Sequence, residues 1–259
     1  MFDTTQLSGG EVWWDGVMAT QRQTERPAAE RAVRRPRERQ RASHSLDAVL
    51  TEAVALLDES GESGLTFRAL AARLGGGVAS IYWYVSSKDE LLDRAADHVL
   101  GDVLADVREV GGGDAVADVR TIAVTLFDAI VERPWLSAYF MRDTGVQPNA
   151  LRLYELLGEQ VLRLDLTPRQ RFHAVSAVVG FVVGTAADMS QQPPAAVRSG
   201  ELRPEDHLAG AIAQWRALDP DEFPFLHHVV DEFATHEDSE QFRAGLDLLL
   251  DGLRRQAGA

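Results

Sequence analysis

The sequence predicts an all-α protein, and three features lead to that prediction. Apolar residues recur at spacings of three and four along most of residues 46–255, which places them on one face of a helix. The alternation of apolar and polar residues that is typical of strands is rare. Hydrophobic residues make up 45% of the 259 residues and charged residues 25%, as in globular proteins. We therefore expect a chain of helices packed around apolar cores.

The first part of the chain, residues 1–44, is rich in arginine and has little helical periodicity. Glycines and prolines interrupt it, so we predict a largely disordered extension. Residues 22–41 hold eight Arg and three Glu, a net charge of +5. Two interpretations are open: a solvated charged tail, or an arm that follows DNA phosphates or enters a minor groove. The sequence also leaves open whether translation starts at Met1 or Met18.

The first helix is predicted over residues 46–59. Ser45 is a suitable N-cap, because its hydroxyl can accept a hydrogen bond from a free N–H of the first turn. Glycines at positions 61 and 64 end the helical pattern. Six apolar residues form one stripe on this helix: Leu46, Val49, Leu50, Ala53, Leu56 and Leu57. We expect the stripe to pack against the helices that follow.

Two short helical patterns flank a glycine turn in the stretch LTFRALAARLGGGVASIYWYVSSKDELL, residues 65–92. Thr66 is the expected N-cap of the first helix, and glycines at 75–77 end it. Ile81 and Val85, four residues apart, are expected to bury the inner face of the second helix. This is the layout of a helix-turn-helix, whose second helix enters the major groove of DNA. An ordinary α-helical hairpin with an aromatic core patch fits the same pattern.

The next helix is predicted to begin at Lys88, after a cap supplied by Ser86 or Ser87. In the helix-turn-helix interpretation, the hydroxyl of Ser80 and those of the nearby tyrosines would meet base edges or phosphates. The cationic side chains of Arg68 and Lys88 would hold phosphates. These side chains are therefore the first candidates for a DNA-binding surface.

The segments LTFRALAARLG and IYWYVSSKDELLD resemble the DNA-binding domain of the tetracycline-repressor (TetR) family. The resemblance implies that the residues at the DNA are Thr66, Arg68, Val78, Ala79, Ser80, Tyr82, Trp83, Tyr84 and Lys88, with Lys88 on a phosphate. One departure is the pair Gly76 and Gly77, where the family usually has an aliphatic anchor. Each glycine costs roughly 1 kcal/mol of helix propensity relative to alanine, so the second helix is expected to start late or to be mobile.

The same resemblance implies a domain organisation. Residues 45–104 would form the three-helix DNA-binding domain, and residues 105–259 a larger helical domain for ligand binding and dimerisation, with the helix from Lys88 connecting them. Seven further helices are predicted over residues 114–133, 135–142, 149–164, 169–189, 204–218, 224–234 and 241–255, with an exposed proline-rich loop at 191–204.

Two late segments resemble the dimer-forming helices of tetracycline-repressor-type proteins: AVSAVVGFVVG at 174–184 and FRAGLDLLLDGLRRQ at 242–256. A helix-turn-helix dimer that reads two half-sites needs such an interface. The alternative is that both segments belong to the core of a single chain. The residues predicted at the interface are Gly180, Gly184, Leu246, Leu249, Leu250 and Leu253.

An effector site is expected in the larger domain, as the resemblance implies. Aromatic residues with a few polar anchors are typical of small-molecule sites. The candidates are His98, Phe127, Trp135, Tyr139, Phe140, Arg142, Tyr154, Gln160, His173 and Phe181, although each residue alone also fits core packing or surface. Leu104 stands where the tetracycline repressors have a histidine, so we expect a larger apolar or aromatic natural product rather than magnesium–tetracycline.

Composition excludes several other classes of protein. There are no cysteines, which excludes disulfides, thiolate chemistry and cysteine-ligated zinc. No run of about 18 apolar residues and no secretion signal is visible, so we expect a cytoplasmic protein without a membrane partner. The net charge of −14 opposes DNA binding, but the basic charge is concentrated in residues 22–41. Lys88 is the only lysine in the chain.

Two alternative functions stay open from the sequence. An enzyme would use its histidines, of which His227 with Asp231 and His228 with Glu232 have the spacing of a metal-binding pair. Such pairs are more often solvated helix faces, and no metalloprotease, phosphate-loop or nucleophile-elbow motif is present. A helical ligand-binding protein with weakened or lost DNA reading is the second alternative. We expect no catalytic site, metal or cofactor. The expected partners are an operator in double-stranded DNA, an unknown small-molecule effector and a second copy of the chain.

Overall fold

The computed structural model of the chain describes residues 45–140, 147–191 and 193–258. These residues form twelve α-helices and no strand, which confirms the all-α prediction. Residues 1–44 and Arg142, for which predictions were made, lie outside the described residues. The helices are α1 Leu46–Gly64, α2 Phe67–Arg73, α3 Val78–Ile81, α4 Lys88–Asp106, α5 Ala115–Glu132, α6 Trp135–Phe140, α7 Pro148–Leu162, α8 Pro168–Met189, α9 Ala195–Arg198, α10 Pro204–Arg216, α11 Pro224–Thr235 and α12 Asp238–Gln256.

The N-terminal helices begin at the caps that the sequence indicates. Ser45 Oγ accepts a hydrogen bond of 3.0 Å from the N–H of Ala48, and Thr66 Oγ1 accepts one of 3.1 Å from that of Ala69. The helical stretch ends where the sequence predicts. Gly61 has a φ of 62° and a ψ of −170°, both non-helical, so it breaks α1 at a kink before the last residues up to Gly64.

The second helix of the helix-turn-helix, α3, is only four residues long and ends at Ile81. Its N-cap is Gly77, which has no side chain to accept a capping hydrogen bond. Val85 is buried as predicted but lies beyond the helix, since residues 82–84 form a turn. Of the two serines predicted to cap α4, Ser87 is the cap and accepts from Glu90 N–H at 3.1 Å.

Two apolar clusters meet along α4. The first contains the inward residues of α1–α3 together with Leu91, Leu92 and Ala95. The second begins at Ala96 and includes Val99, with the inward faces of α5, α7, α8 and α12. We call α1–α3 with α4 up to Ala95 the DNA-reading unit, and the remainder from Ala96 the larger domain. Because α4 contributes to both cores, it connects them as one continuous helix.

The core of the larger domain is filled by aromatic rings from three helices. Phe127 of α5 stacks on Phe242 of α12 with ring centroids 3.5 Å apart and an angle of 3° between the planes. Phe181 of α8 also stacks on Phe242, with ring centroids 5.6 Å apart. Gly245 makes room for this stack, because a Cβ there would come within 2.5 Å of Cζ of Phe181. The stack therefore fixes how closely α8 and α12 pack.

The segment between α8 and α12 differs from the rest of the larger domain. A short helix, α9, interrupts the loop that was predicted over residues 191–204. Helices α10 and α11 pack mainly against each other, and Trp215 of α10 stacks on Phe233 of α11 at 4.3 Å. Among the described helices, α8 alone is long and apolar enough to cross a membrane, a test that the core helix of a globular protein also passes.

Candidate nucleic-acid interface and effector site

Two predicted DNA contacts lie at the start of α2. Thr66 is exposed, and its hydroxyl is already used as the cap of the helix. Arg68 is exposed and makes no hydrogen bond or ion pair with another residue that the structure describes. A guanidinium without a partner can pair with a phosphate at no cost in protein contacts. Arg68 is thus the cation of this helix that is best placed for DNA.

The residues of α3 and the turn after it separate into an outer and an inner group. Ala79 is exposed, Tyr82 is 58% exposed and Trp83 is 87% exposed. The ring of Tyr82 is held edge-on against Phe67 of α2, with centroids 4.9 Å apart. Outward aromatic side chains of this size are available to stack on or hydrogen-bond to bases and phosphates.

The inner group supports the outer one. Val78 and Tyr84 pack against the apolar core of the DNA-reading unit, so these two predicted contacts face partly inward. Ser80 Oγ donates a hydrogen bond of 2.6 Å to the carbonyl of Gly77, where it reinforces the first turn of α3. This local hydrogen bond stabilises the first turn of α3, whose N-cap Gly77 offers no capping side chain.

Most cations of the DNA-reading unit are engaged within the protein. Arg73 donates two hydrogen bonds of 2.5 Å to the carboxylate of Glu59, which raise the pKa of its guanidinium. Arg94 pairs with Glu90 at 2.7 Å. Residues 45–100 carry four basic and nine acidic residues, a net charge of −5. The unit therefore presents little free positive charge beyond Arg68.

Lys88, the predicted phosphate contact, also has a partner. Its Nζ donates a hydrogen bond of 2.6 Å to the main-chain carbonyl of Glu62, in the part of α1 beyond the kink at Gly61. Carbonyls at the end of a helix lack partners within the helix, and a lysine amine is a favourable donor to them. This hydrogen bond ties the start of α4 to the end of α1 within the DNA-reading unit.

The predicted effector residues lie in different surroundings. Phe127 is buried in the aromatic stack, and Tyr139 is buried beside Phe140, 5.2 Å away. Tyr154 is 42% exposed, and His173 is exposed. The role of these side chains in effector binding therefore stays a prediction.

Two of the predicted effector residues lie instead against the DNA-reading unit. Trp135 Nε1 donates a hydrogen bond of 2.6 Å to Oδ1 of Asp58 in α1. His98 Nδ1 of α4 is 3.8 Å from Oδ1 of Asp47, near the start of α1. Both side chains thus connect elements of the fold in this structure.

Gln160 is the predicted effector residue that is both buried and polar. Its Oε1 accepts a hydrogen bond of 2.7 Å from Arg163. Arg163 also donates to Oδ2 of Asp118 at 2.6 Å and to the carbonyl of Gly113. The network joins the end of α7 to the turn between α4 and α5. Arg163 was not singled out in the sequence, because nothing in its local pattern distinguishes it from a surface arginine.

Asp97 is a second residue that the sequence did not reveal. Its carboxylate is buried and accepts hydrogen bonds from the N–H groups of Asn149, at 2.9 Å, and Ala150, at 3.0 Å. It thereby caps α7, whose own N-cap residue, Gln147, makes no side-chain capping bond. A helix that opens on Pro148 without a local cap is the signal that could have indicated a distant partner.

The predicted dimer residues on α12 also separate into two groups. Leu246 and Leu250 are buried within the chain against α5 and α8, which corrects their placement at a free surface. Leu253 lines the groove between α8 and α12, so its place at an interface stays a prediction. Leu249 is 37% exposed and Leu248, which was not predicted, is 74% exposed.

The exposed leucines of α12 lie beside an exposed face of α8. Gly180 and Gly184 are exposed, and Phe172 is 62% exposed. A groove of about 270 Å³ runs between the two helices, lined by Ala174 and Leu248 among others. Only 28% of an 18-residue apolar stretch of α8 is buried inside the chain. A large exposed apolar face on two adjacent helices is typical of a protein interface.

The histidines considered for an enzyme do not form a metal site in the described residues. His227 Nε2 lies 2.8 Å from the carbonyl of Leu218, and Asp231 pairs with Arg216 at 2.7 Å. No group of three potential metal ligands occurs in the part of the chain that the structure describes. The side chains of His227 and Asp231 on α11 therefore contact the end of α10 and the turn that follows it.

Comparison with known proteins connects these surfaces to a function. Residues 49–95 match a family described as bacterial regulatory proteins, tetR family, and residues 109–257 match the tetracyclin repressor-like C-terminal domain. The chain is 29% identical over 220 residues to the HTH-type transcriptional repressor DrrR1 of Streptomyces coeruleorubidus, covering 85% of this chain and 81% of the repressor.

Solved structures show the same architecture. The transcriptional regulator SCO7222 from Streptomyces coelicolor, described as a TetR, is 33% identical and has a TM-score of 0.70 over 83% of this chain and 99% of that one. The TetR family protein ActR of the same organism, in complex with actinorhodin, has a TM-score of 0.72 at 24% identity, over 84% of this chain and 98% of ActR. That last likeness concerns the fold alone.

Proposed function

The chain belongs to the TetR family of transcriptional regulators, which are DNA-binding proteins and not enzymes, and we propose that it is a ligand-responsive repressor. In this proposal a homodimer binds a palindromic operator in the cytoplasm and a small-molecule effector releases it. The observation that carries the proposal is the outward pair Tyr82 and Trp83, exposed beside Arg68 in a helix-turn-helix of this family.

The exposed side chains support operator binding by this face. Trp83 is 87% exposed next to Tyr82, which is 58% exposed, and an outward aromatic pair of this kind supports a partner at this face. Arg68 supplies a free guanidinium for a phosphate near the same turn. We propose that Thr66, Arg68, Ala79, Ser80, Tyr82, Trp83 and Lys88 contact DNA, while Val78 and Tyr84 position them.

The dimer is proposed to form through α8 and α12. Their outer faces expose Phe172, Leu248 and Leu249, which a second copy of the same surface would bury. Gly180 and Gly184 leave open space on α8, so that a partner helix can approach closely. Two-fold symmetry would then present two copies of α3 to the two half-sites of a palindrome.

The effector is proposed to be a larger apolar or aromatic natural product that binds within the larger domain. The core between α5, α8 and α12 is aromatic, and Gln160 with Arg163 supplies polar groups at one side of it. Binding between these helices would displace part of the Phe127–Phe242–Phe181 stack. An effector that binds only the displaced arrangement shifts the population toward it.

The proposal is tested by selection of DNA in vitro. The purified dimer is incubated with sheared genomic DNA at low salt, and the retained fragments are sequenced. We expect enrichment of a palindrome, whose half-site spacing reports the distance between the two α3 helices. A folded protein that enriches no sequence would contradict the proposal and favour a ligand-binding protein that has lost DNA reading, which the net charge of −5 over residues 45–100 would then explain.

A further inference from the structure

The carboxylate of Asp58 in α1 collects two donors from the larger domain. Trp135 Nε1 donates to Oδ1 at 2.6 Å. The guanidinium of Arg133 approaches from the same corner, with Nε 3.4 Å from Oδ2, within ion-pair distance although not aligned for a hydrogen bond. Arg133 and Trp135 flank Pro134 at the junction of α5 and α6. The carboxylate of Asp58 in the DNA-reading unit is thus held by two side chains of the larger domain.

The same corner is packed as well as hydrogen-bonded. Trp135 is partly buried against the apolar cores of both the DNA-reading unit and the larger domain. Val54 of α1, one turn before Asp58, also packs against both cores. The indole ring therefore fills the joint between the two cores, while its N–H fixes the rotation of the ring.

This corner connects the two parts of the chain in addition to α4. Helix α4 belongs to both cores, is tied to α7 through the cap that Asp97 provides, and carries His98 beside Asp47 of α1. A single helix resists bending but permits the DNA-reading unit to swing about its axis. A directional, charge-assisted hydrogen bond from a different helix, α1, removes that freedom. The two connections together define one orientation.

We propose that Asp58 is a positioning residue: through Trp135 and Arg133 it fixes the orientation of the DNA-reading unit against the larger domain. In a dimer this orientation sets the separation of the two α3 helices and hence the half-site spacing that the protein accepts. The inference rests on the proposed function, because it presupposes a dimer that binds an operator. It assigns to Trp135 a role in positioning and not in effector contact.

A purely stabilising role for Asp58 is disfavoured by its surroundings. Its side chain is 37% exposed, and ion pairs at such positions contribute little to stability. It lies in the C-terminal half of α1, where a negative charge opposes the helix dipole and alanine has the better helix propensity. Removal of this carboxylate should therefore leave the helix intact and change only the contact to α6.

The test measures spacing tolerance. Duplexes carry the two selected half-sites at the natural spacing or with one or two base pairs added or removed, and dissociation constants are measured for each. For the native protein we expect strong preference for the natural spacing. In Asp58→Ala and Trp135→Phe we expect that preference to fall by roughly tenfold, the effect of one hydrogen bond to a charged group. The preferred half-site sequence should stay the same, because α3 is untouched.

Matched controls remove equivalent groups elsewhere. Asp247→Ala breaks an ion pair of 2.7 Å with Arg120 inside the larger domain, and Trp215→Phe changes a stacked tryptophan in α10. Both should keep the native spacing preference. Unchanged preference in Asp58→Ala and Trp135→Phe, or weaker binding by the same factor at every spacing, would overturn the inference. Failure of the native protein to bind any operator would instead refute the proposed function, and the inference with it.

Discussion

Lys88 Nζ lies 2.6 Å from the main-chain oxygen of Glu62, so the only lysine of the chain joins the start of α4 to the end of α1. The resemblance places the same amine on a DNA phosphate. The two roles are compatible if the amine, with three donors, holds both acceptors at once. Lys88 would then transmit the position of a phosphate directly to the junction of α1 and α4.

Replacement of Lys88 by glutamine should therefore affect two measurements. The free energy of unfolding should fall by about 1 kcal/mol, because a carbonyl near a helix end loses a charged donor. The slope of log binding constant against log salt should become shallower by roughly 0.9, the value of one phosphate contact. Urea unfolding and fluorescence titration at several salt concentrations give the two quantities. A lower stability with an unchanged salt slope would restrict Lys88 to its structural role.

Tyr82→Ala should weaken binding to a selected operator while the fold is kept. The phenol ring is 58% exposed, and its one described ring contact is with Phe67, so truncation opens no cavity in the core. Loss of one side-chain contact to a base or phosphate costs about 1–3 kcal/mol, which corresponds to roughly ten- to a hundredfold in affinity.

The control for Tyr82→Ala is Phe225→Ala, which truncates another exposed ring, 71% exposed on α11 and far along the chain from the helix-turn-helix. Operator affinity of the control should equal that of the native protein, and thermal unfolding should be similar in both. Native affinity in Tyr82→Ala would contradict the placement of this residue at the DNA.

The arginine-rich segment should supply much of the affinity for phosphates. Within residues 45–100 the net charge is −5, and Arg73, Arg94 and Lys88 are engaged with partners in the protein. Residues 22–41 carry a net charge of +5. Deletion of residues 1–41 should therefore lower operator affinity and flatten its salt dependence, because fewer counterions are released.

The deletion is compared with a full-length variant in which Arg34, Arg35, Arg37 and Arg39 are all replaced by glutamine. If charge is the cause, this variant should reproduce the shallower salt slope with its length unchanged. A salt slope equal to that of the native protein in both would show that the segment does not contact DNA.

Local features of the sequence predicted local structure well. Ser45 and Thr66 cap the helices that they were expected to cap, and the chain turns at the glycines at 75–77, because such contacts involve residues three or four apart. The register of the DNA-binding motif could be derived from a short run of letters for the same reason. Gly61, predicted to end the first helical stretch, does so through a positive φ and a non-helical ψ.

Long-range features could not be derived in the same way. The stripe of Leu246, Leu250 and Leu253 fits either a core or an interface, and only the positions of α5 and α8 decide between them. Trp135 is an aromatic residue of the kind that lines ligand sites, and it packs at the joint beside Asp58, 77 positions away in sequence. Neither position follows from the sequence, because periodicity defines a face of a helix without defining its neighbour.

Acid should weaken the packing of α5 against α12. The hydrogen bond from Arg120, 2.7 Å from Oδ1 of Asp247, lowers the pKa of the Asp247 carboxyl. The pKa of Asp114 is lowered most by the hydrogen bond from the main-chain N–H of Val116 and next by the hydrogen bond from Arg254. A depressed folded-state pKa stabilises the protein above the unfolded value, near 4, and this contribution is lost as the pH falls through the folded value.

The melting temperature of Asp247→Asn should consequently fall less between pH 6 and pH 3 than that of the native protein. The exposed Asp102 of α4 is not hydrogen-bonded to any described side chain, so Asp102→Asn serves as control and should follow the native curve. Equal acid sensitivity in all three proteins would show that the Arg120–Asp247 pair is screened by solvent.

Leu248→Glu should convert the proposed dimer to monomers without unfolding the chain. Leu248 is 74% exposed on α12 and lines the α8–α12 groove with Leu249, so a glutamate there is hydrated in the monomer. In the proposed dimer the carboxylate would be buried at the interface, at a cost of several kcal/mol. Leu250→Ala should behave in the opposite way. Its side chain is buried within the chain, and its truncation should lower the free energy of unfolding by about 2–5 kcal/mol.

Sedimentation equilibrium distinguishes these outcomes. Leu151→Glu is the matched control, because Leu151 is 50% exposed but lies on α7, outside the proposed interface. It should sediment as the native protein does, at the mass of the proposed dimer, while Leu248→Glu sediments at the monomer mass of 28.4 kDa with native helix content. Because one half-site offers half of the contacts, the monomer should also lose operator affinity by orders of magnitude. A dimer in Leu248→Glu at the same concentration would place the interface away from the α8–α12 face and leave its exposed leucines without a partner.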